Sequence, residues 1–367
     1  MFTNQNKDQK NKYYMNLALN YARMNLGNTK TNPSVGCVII KNGSILGAAS
    51  TSINGRPHAE YNAIKSSNHN FKDSILYATL EPCSNYGKTP PCINLIIKKK
   101  IKKVFFSIND PDLRSYDKST KKLRKYGIKV NTGVLKDKIN SFYKSYKKFK
   151  NNKLPFVTCK LAISKDFYTV SKDRKWITNE FSRGRVHLMR SSHDCIMTSS
   201  KTVNNDNPML TCRIEGLESR SPTRIILDKN LIIKFNTKIV KSSHKYKTII
   251  FYNKSNTKKI RTLKKKGIKI YHTDLDKDNN LNLFNILIKL KKLGFSRIFL
   301  ESGIKLMKEF LNKGLVDEFK LFISKNNLGR MGHSNAKNLF KIFLKNKETE
   351  IVNVNLFGDK LLSYHIR

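Results

Sequence analysis

The stretch Pro57-His58-Ala59-Glu60-Tyr61-Asn62-Ala63-Ile64 sets an imidazole and a carboxylate two positions apart at the mouth of an expected helix. Two thiols follow: Cys83 comes after Glu81-Pro82, Cys92 after Pro90-Pro91, with eight residues between them. A histidine and two thiolates are an accepted donor set for a catalytic zinc, which takes three protein ligands and keeps a fourth position open. A carboxylate two positions past the histidine cannot easily ligate the same ion from a helix. It can reach a water on that ion, which is the geometry for carrying protons. Alone, a His-x-Glu pair decorates a helix end more often than it binds metal, and buried cysteines are usually inert. The combination is what points to a metal. Helix starts lower thiol pKa values, so Cys92 is expected to favour its thiolate.

These groups need elements to hold them. Leu17, Ala18, Tyr21, Ala22 and Met24 recur at helical spacing, predicting a helix over 11–25 that stops at Gly27. Val35 to Ile40 and Ser44 to Ala48, joined through Asn42-Gly43, read as a hairpin. A helix from His58 to about Ser66 follows, with Pro57 suited to its start. A strand (75–79), a Pro/Cys loop, a helix (92–99) and a strand (103–107) complete a β-β-α-β-α-β order, implying a mixed sheet with helices on both faces. The Lys/Tyr/Phe-rich stretch 138–153 loses strand alternation, and the domain junction is placed there, giving domains 1–148 and 149–367. Beyond it, the apolar runs PFVTCKLAI, HDCIMTS, TRIILD, KTIIFY, IKIYH, SRIFLES and VDEFKLFIS alternate with helical patterns. They predict a second α/β domain with an antiparallel tail at VNVNLF and LLSYHIR.

Composition narrows the class less than its size suggests. Lys and Arg number 72 against 26 Asp and Glu, a net charge of +46, which could point to nucleic acid. The lysines are dispersed from end to end among Asn and Ile, so the skew reads as compositional drift and specific nucleic-acid binding is not expected. Six cysteines in 367 residues are not a disulfide framework. The N-terminal residues show no apolar core of signal-peptide length, and no run approaches the roughly 18 apolar residues of a membrane span. A cytoplasmic protein without a membrane partner is expected.

His-x-Glu followed by Pro-Cys is the hydrolytic deaminase arrangement. Deaminases of nucleic acids and free nucleosides carry Pro-Cys-x-x-Cys, whereas this loop is long. Asn32-Pro33-Ser34-Val35-Gly36-Cys37-Val38, His58-Ala59-Glu60 and Glu81 through Cys92 resemble the deaminase half of the bifunctional riboflavin-biosynthesis deaminase/reductase family. The resemblance continues through Lys160-Leu161-Ala162-Ile163-Ser164, Trp176-Ile177-Thr178, Leu188-Met189-Arg190, 202–213, Glu301-Ser302-Gly303 and Leu315-Val316-Asp317-Glu318, which match the family's reductase half.

The resemblance implies an α/β chain with an N-terminal cytidine-deaminase-like three-layer domain and a C-terminal dihydrofolate-reductase-like α/β domain. It implies one Zn2+ on His58, Cys83 and Cys92, with Glu60 as proton shuttle in hydrolysis of a ring amine. Asn32, Asn85 and Lys88 would face a pyrimidine ribose phosphate. In the second half, Ala162, Trp176, Thr202, Asp206 and Gly303 would line an NADPH site, and Arg190, Leu210, Arg213 and Glu301 the substrate. A homo-oligomer is implied as well.

The sequence departs from the family at several points. Asn85 stands for a histidine, and a Gly-containing loop becomes Asp110-Pro111 and residues 112–117. Phe167 replaces a glycine, Arg174 a serine, and Ile304 and Lys305 alter the motif after Gly303. A second reading therefore keeps the deaminase alone, with the reductase half as scaffold.

Overall fold

A computed structural model describes residues 4–112, 114–255 and 257–367, with side chains from Lys7 onward; Met1–Thr3, Asn256 and Leu113 of the 112–117 loop lie outside the described residues. The chain forms two compact units, one through Asn152 and one from Lys153.

The first unit runs α1(Asn4–Met24), β1(Gly36–Lys41), β2(Ser44–Ser50), α2(Ala59–Lys65), β3(Ile75–Leu80), α3(Cys92–Lys98), β4(Lys103–Ile108), α4(Lys118–Lys125), β5(Lys129–Thr132), α5(Lys136–Phe142) and α6(Lys144–Asn151). Its sheet has the order β2-β1-β3-β4-β5, antiparallel at β1 and parallel beyond β3. The β1–β2 turn works because Asn42 and Gly43 both take positive φ, 51° and 86°, as a two-residue hairpin of this twist requires.

Two glycines set the layers. A Cβ on Gly36 would lie 1.8 Å from the Ala18 carbonyl of α1, and one on Gly47 would lie 2.1 Å from the Ala63 carbonyl of α2. Gly47 pairs with Ile39, three residues from Gly36. The period of two along a strand therefore places these glycines on opposite faces, with α1 on one and α2 on the other. That is the three-layer arrangement, and its core joins Met15, Leu19, Val38, Ile39, Tyr77 and Phe106.

The 138–153 stretch is helical: it forms α5 and α6, and Ile139, Tyr143 and Tyr146 are buried. Lost strand alternation there was the signature of two short amphipathic helices belonging to the first unit.

The second unit runs β6(Phe156–Ile163), β7(Tyr168–Ser171), α7(Glu180–Ser191), β8(Cys195–Ser199), α8(Ser200–Asp206), β9(Thr223–Leu227), α9(Lys238–Lys241), β10(Thr248–Tyr252), α10(Thr257–Lys265), β11(Lys269–His272), α11(Leu283–Lys292), β12(Arg297–Leu300), α12(Ile304–Asn312), β13(Glu318–Ile323), β14(Gly332–Asn335), α13(Lys337–Phe343), β15(Thr349–Ile351) and β16(Lys360–His365). The main sheet is β11-β10-β9-β8-β12-β6-β13-β16-β15, parallel from β11 to β13, with β16 antiparallel to β13 and β15. β7 and β14 pair separately. The expected tail strand over VNVNLF does not form; residues 349–351 pair with β16 instead. Val352 and Val354 spend their apolar side chains on the core, and only the Val352 N–H reaches across, to the Leu361 carbonyl at 3.0 Å.

Candidate active sites

His58 precedes α2 in extended conformation and Glu60 lies in its first turn, 3% exposed. Cys83 follows β3, and Cys92 opens α3 after Pro91. The His58 Nδ1 atom is 3.5 Å from each of the two Sγ atoms. A tetrahedral zinc with bonds of about 2.3 Å to sulfur and 2.0 Å to nitrogen separates N and S donors by roughly 3.5 Å. The spacing fits that ion, and the three ligand atoms lie within 4.8 Å of one another.

The helix-start N–H at Cys92 serves the other sulfur. The Cys92 N–H donates to Cys83 Sγ at 3.2 Å. Its contacts with Cys92 and then with His58 lower Cys83 below the usual thiol range despite burial. Cys92 is driven up by that same hydrogen bond and by burial. The helix start therefore delivers its N–H to the other sulfur. Burial raises Glu60, whose Oε2 accepts from the Cys92 Sγ at 3.4 Å. This carboxylate stands beside the donor set without belonging to it.

A cavity of about 130 Å³ opens over this centre. Asn32 lines it, donating its amide to the Gly55 carbonyl at 2.8 Å. Asn85 lines it too, donating to the Arg114 carbonyl and, at 3.4 Å, to Ser115 Oγ. Lys88 is exposed on the loop and is not among the lining residues.

Carboxylates shape the loop that lost its glycines. Glu81 accepts the N–H groups of Asp110, Asp117 and Ser119 at 3.1–3.2 Å. Asp110 accepts Tyr146 O–H and Asp112 N–H, both at 3.0 Å. Asp117 takes φ 56°, a backbone shape glycine adopts freely and Asp tolerates. Sequence reasoning missed Glu81, Tyr146, Arg56, Arg114 and Lys150, all of which line the cavity. Only Glu81, inside the Glu-Pro-Cys motif, carried a local signal.

In the second unit, Ala162, Glu301 and Gly303 lie at the carboxyl ends of β6 and β12, and Thr202 and Asp206 on the helix that follows β8, the side on which open α/β sheets bind ligands. Glu301 follows β12 and receives Arg190 of α7 through Nε at 3.0 Å and Nη2 at 2.9 Å. Arg190 Nη1 donates to the Thr211 carbonyl at 3.0 Å, and Lys160 of β6 lies 3.8 Å from Glu301. His187, lowered to about 4 by burial and then by the arginines, accepts the Arg213 N–H at 3.2 Å. Leu210 is buried in the same segment with φ 55°. This brings Arg190, Leu210, Arg213 and Glu301 together.

Thr202 and Asp206 lie on α8 beyond β8, and Ala162 is the penultimate residue of β6. Gly303 caps α12, and a Cβ there would meet nothing within 4 Å; the first N–H groups of a helix are left without intrahelical partners, as an anion site requires. Trp176, on the segment after β7, is half exposed between Arg183 and Lys175.

The reductase-half departures are accommodated locally. Phe167 takes φ 71°, and its ring packs 5.5 Å from Phe340, an aromatic contact that a glycine could not make. Arg174 pairs with Asp173 at 3.5 Å, and Ile304 packs on the core.

Residues 155–354 match the family model described as the RibD C-terminal domain, and residues 8–108 that of the cytidine and deoxycytidylate deaminase zinc-binding region. The chain is 34% identical over 320 residues to the riboflavin biosynthesis protein RibD of Aquifex aeolicus, covering 87% of this chain and 88% of that one. It is 35% identical over 314 residues to RibD of Bacillus amyloliquefaciens, covering 85% and 84%. The crystal structure of a diaminohydroxyphosphoribosylaminopyrimidine deaminase/5-amino-6-(5-phosphoribosylamino)uracil reductase from Thermotoga maritima matches with TM-score 0.83 at 28% identity, over 98% of this chain and 100% of that one. Acinetobacter baumannii RibD matches with TM-score 0.82 at 26% identity, over 98% and 100%.

Proposed function

The chain belongs to the RibD family of riboflavin-biosynthesis proteins, and from that premise we propose how its residues divide the work. It is a bifunctional enzyme with a zinc-binding deaminase domain and a reductase domain that uses NADPH. We assign deamination to the first unit and reduction to the second. The substrate is the diaminohydroxyphosphoribosylaminopyrimidine named for the Thermotoga maritima relative. Its ring amine is lost as ammonia, and the ribose of the deaminated product is then reduced.

His58, Cys83 and Cys92 would hold the zinc, which supplies the Lewis acidity that makes a water nucleophilic at neutral pH. Glu60 takes the proton of the attacking water and returns it to the departing amine. Its burial and its place beside Cys92 suit a carboxylate that must exchange protons without ligating. Asn32 and Asn85 orient the substrate in the cavity. In the second unit, Gly303, Thr202, Asp206, Ala162 and Trp176 would hold NADPH, which supplies the hydride. Arg190, Arg213, Leu210 and Glu301 present the ribose to it.

The observation that carries the reading is the pair of 3.5 Å separations from His58 to two cysteines, with Glu60 alongside. The test uses the zinc-loaded chain with the pyrimidine ribose phosphate. Ammonia should appear without NADPH, and NADPH should be consumed only once deamination has occurred. Ammonia without NADPH consumption would favour the deaminase-only reading.

Free thiols at all six cysteines accord with a reducing cytoplasm. No helix among the described residues is long and apolar enough to cross a membrane. Dispersed lysines argue against a specific nucleic-acid partner, and a homo-oligomer is proposed on family membership, to be tested by sedimentation.

A further inference from the structure

We infer that His187 is a positioning residue of the reductase site, its ring nitrogen Nδ1 fixing where Arg190 and Arg213 stand toward the substrate. The inference rests on the assignment above of those two arginines to the substrate of the second unit, and names the group that holds them.

His187 and Arg190 lie three positions apart on α7, so they share a helix face. The segment that meets this face, residues 207–213, joins no strand or helix. Without a ladder, its backbone groups need side-chain partners. Arg224 Nη1 reaches the Met209 carbonyl at 3.4 Å, Arg190 Nη1 the Thr211 carbonyl at 3.0 Å, and Ser221 Oγ takes the Cys212 N–H at 3.1 Å. The Arg213 N–H, next in line, goes to His187 Nδ1 at 3.2 Å.

Nδ1 serves both arginines at once. Arg190 Nη1 lies 3.4 Å from it and 3.0 Å from the Thr211 carbonyl, which itself stands 3.0 Å from Nδ1. The guanidinium N–H thus bridges two acceptors that would otherwise repel each other. A main-chain N–H aimed at Nδ1 requires a lone pair there, which puts the ring proton on Nε2. Burial and then the two arginines lower His187 to about 4, so the ring is neutral at pH 7.

Neutrality is what this position needs. A carboxylate at 187 would pair with the guanidinium groups, as Glu301 already pairs with Arg190, and a lysine there would repel them. Arg190 commits Nε and Nη2 to Glu301, whereas Arg213 has no ion pair among the described residues. A neutral acceptor anchors Arg213 by its main chain and leaves the guanidinium charge to the substrate.

The test supplies the deaminated product directly to the full chain and follows NADPH oxidation, so that the zinc chemistry does not enter. His187→Leu keeps the bulk and removes the acceptor. Its KM for the deaminated product should rise about tenfold or more, with kcat and the KM for NADPH within about threefold of the parent. Asparagine places an amide oxygen where Nδ1 stood, so His187→Asn should recover most of the loss. His187→Gln, whose amide reaches past that point, should not. Urea unfolding followed by Trp176 fluorescence reports whether the second unit is folded; should His187→Leu not fold, the contrast between the Asn and Gln variants carries the same prediction. A KM for the deaminated product within about twofold of the parent in the Leu and Gln variants would overturn the proposal. So would a joint rise of both KM values with Asn no better than Gln, the mark of a merely structural role. No NADPH oxidation by the parent would instead overturn the reductase reading, and this proposal with it.

Discussion

Replacing Arg190 by Met removes the fork on which Glu301 depends. Two guanidinium nitrogens meet that carboxylate at 2.9–3.0 Å, and the two side chains are only 10% and 21% exposed. Burial alone would push Glu301 up, but Arg190 and then Lys160 outweigh it and hold the carboxyl at about 2. Against roughly 4.3 for an unfolded glutamate, at about 1.36 kcal/mol per pH unit, the native environment favours the carboxylate by about 3 kcal/mol. Breaking one side of a buried ion pair costs about 3–5 kcal/mol, so the two routes agree. Because the folded pKa is depressed, this stabilisation is fully present above about pH 4.3 and drains away as pH falls toward 2. Trp176, the only tryptophan, lies in the second unit, so its fluorescence during urea unfolding follows that unit. A cycle of Arg190→Met, Glu301→Gln and the double variant should give a coupling of about 2–3 kcal/mol at pH 7 that shrinks in acid. A coupling below about 1 kcal/mol, the level of an exposed pair, or one that grows on acidification, would refute the electrostatic account.

Glu60→Gln should slow ammonia release by about 10²–10⁴-fold while zinc content by metal analysis stays at one per chain, since no ligand is touched. Stripping zinc with a chelator should abolish ammonia release yet leave NADPH consumption intact when the deaminated product is supplied directly, because the reductase residues proposed here include no zinc ligand. Gly332→Ala places a Cβ 2.3 Å from the Tyr168 ring. The Tyr168 ring or the β7–β14 pair must then shift, and a loss of about 1–3 kcal/mol in thermal or urea unfolding is expected.

The candidate metal centre was legible because each of its donors sits in a short local pattern: a helix start for His58, with Glu60 beside it, a Pro-Cys turn for Cys83, a Pro-Pro-Cys helix start for Cys92. Which sulfur receives the helix-start N–H was not legible. It depends on a hydrogen bond across the loop, from the Cys92 N–H to Cys83. Strands were read well where apolar runs are continuous, as in the parallel core of the second unit. The tail over residues 352–357 misled because alternating Val352, Val354 and Leu356 look like a half-buried strand, whereas their side chains pack without a continuous ladder. The cavity rim escaped for a different reason. Arg114 and Lys150 meet on Asp112 from positions 36 residues apart, and no spacing rule joins an arginine in a loop to a lysine in a helix.

Every residue assigned here to deamination lies before Asn152, and every one assigned to reduction lies after Lys153. In genetic terms the chain is two cistrons written as one. Inactivating substitutions should sort into two complementation groups, so that a chain defective at Glu60 and a chain defective at Glu301, expressed together, supply between them the conversion that neither completes alone.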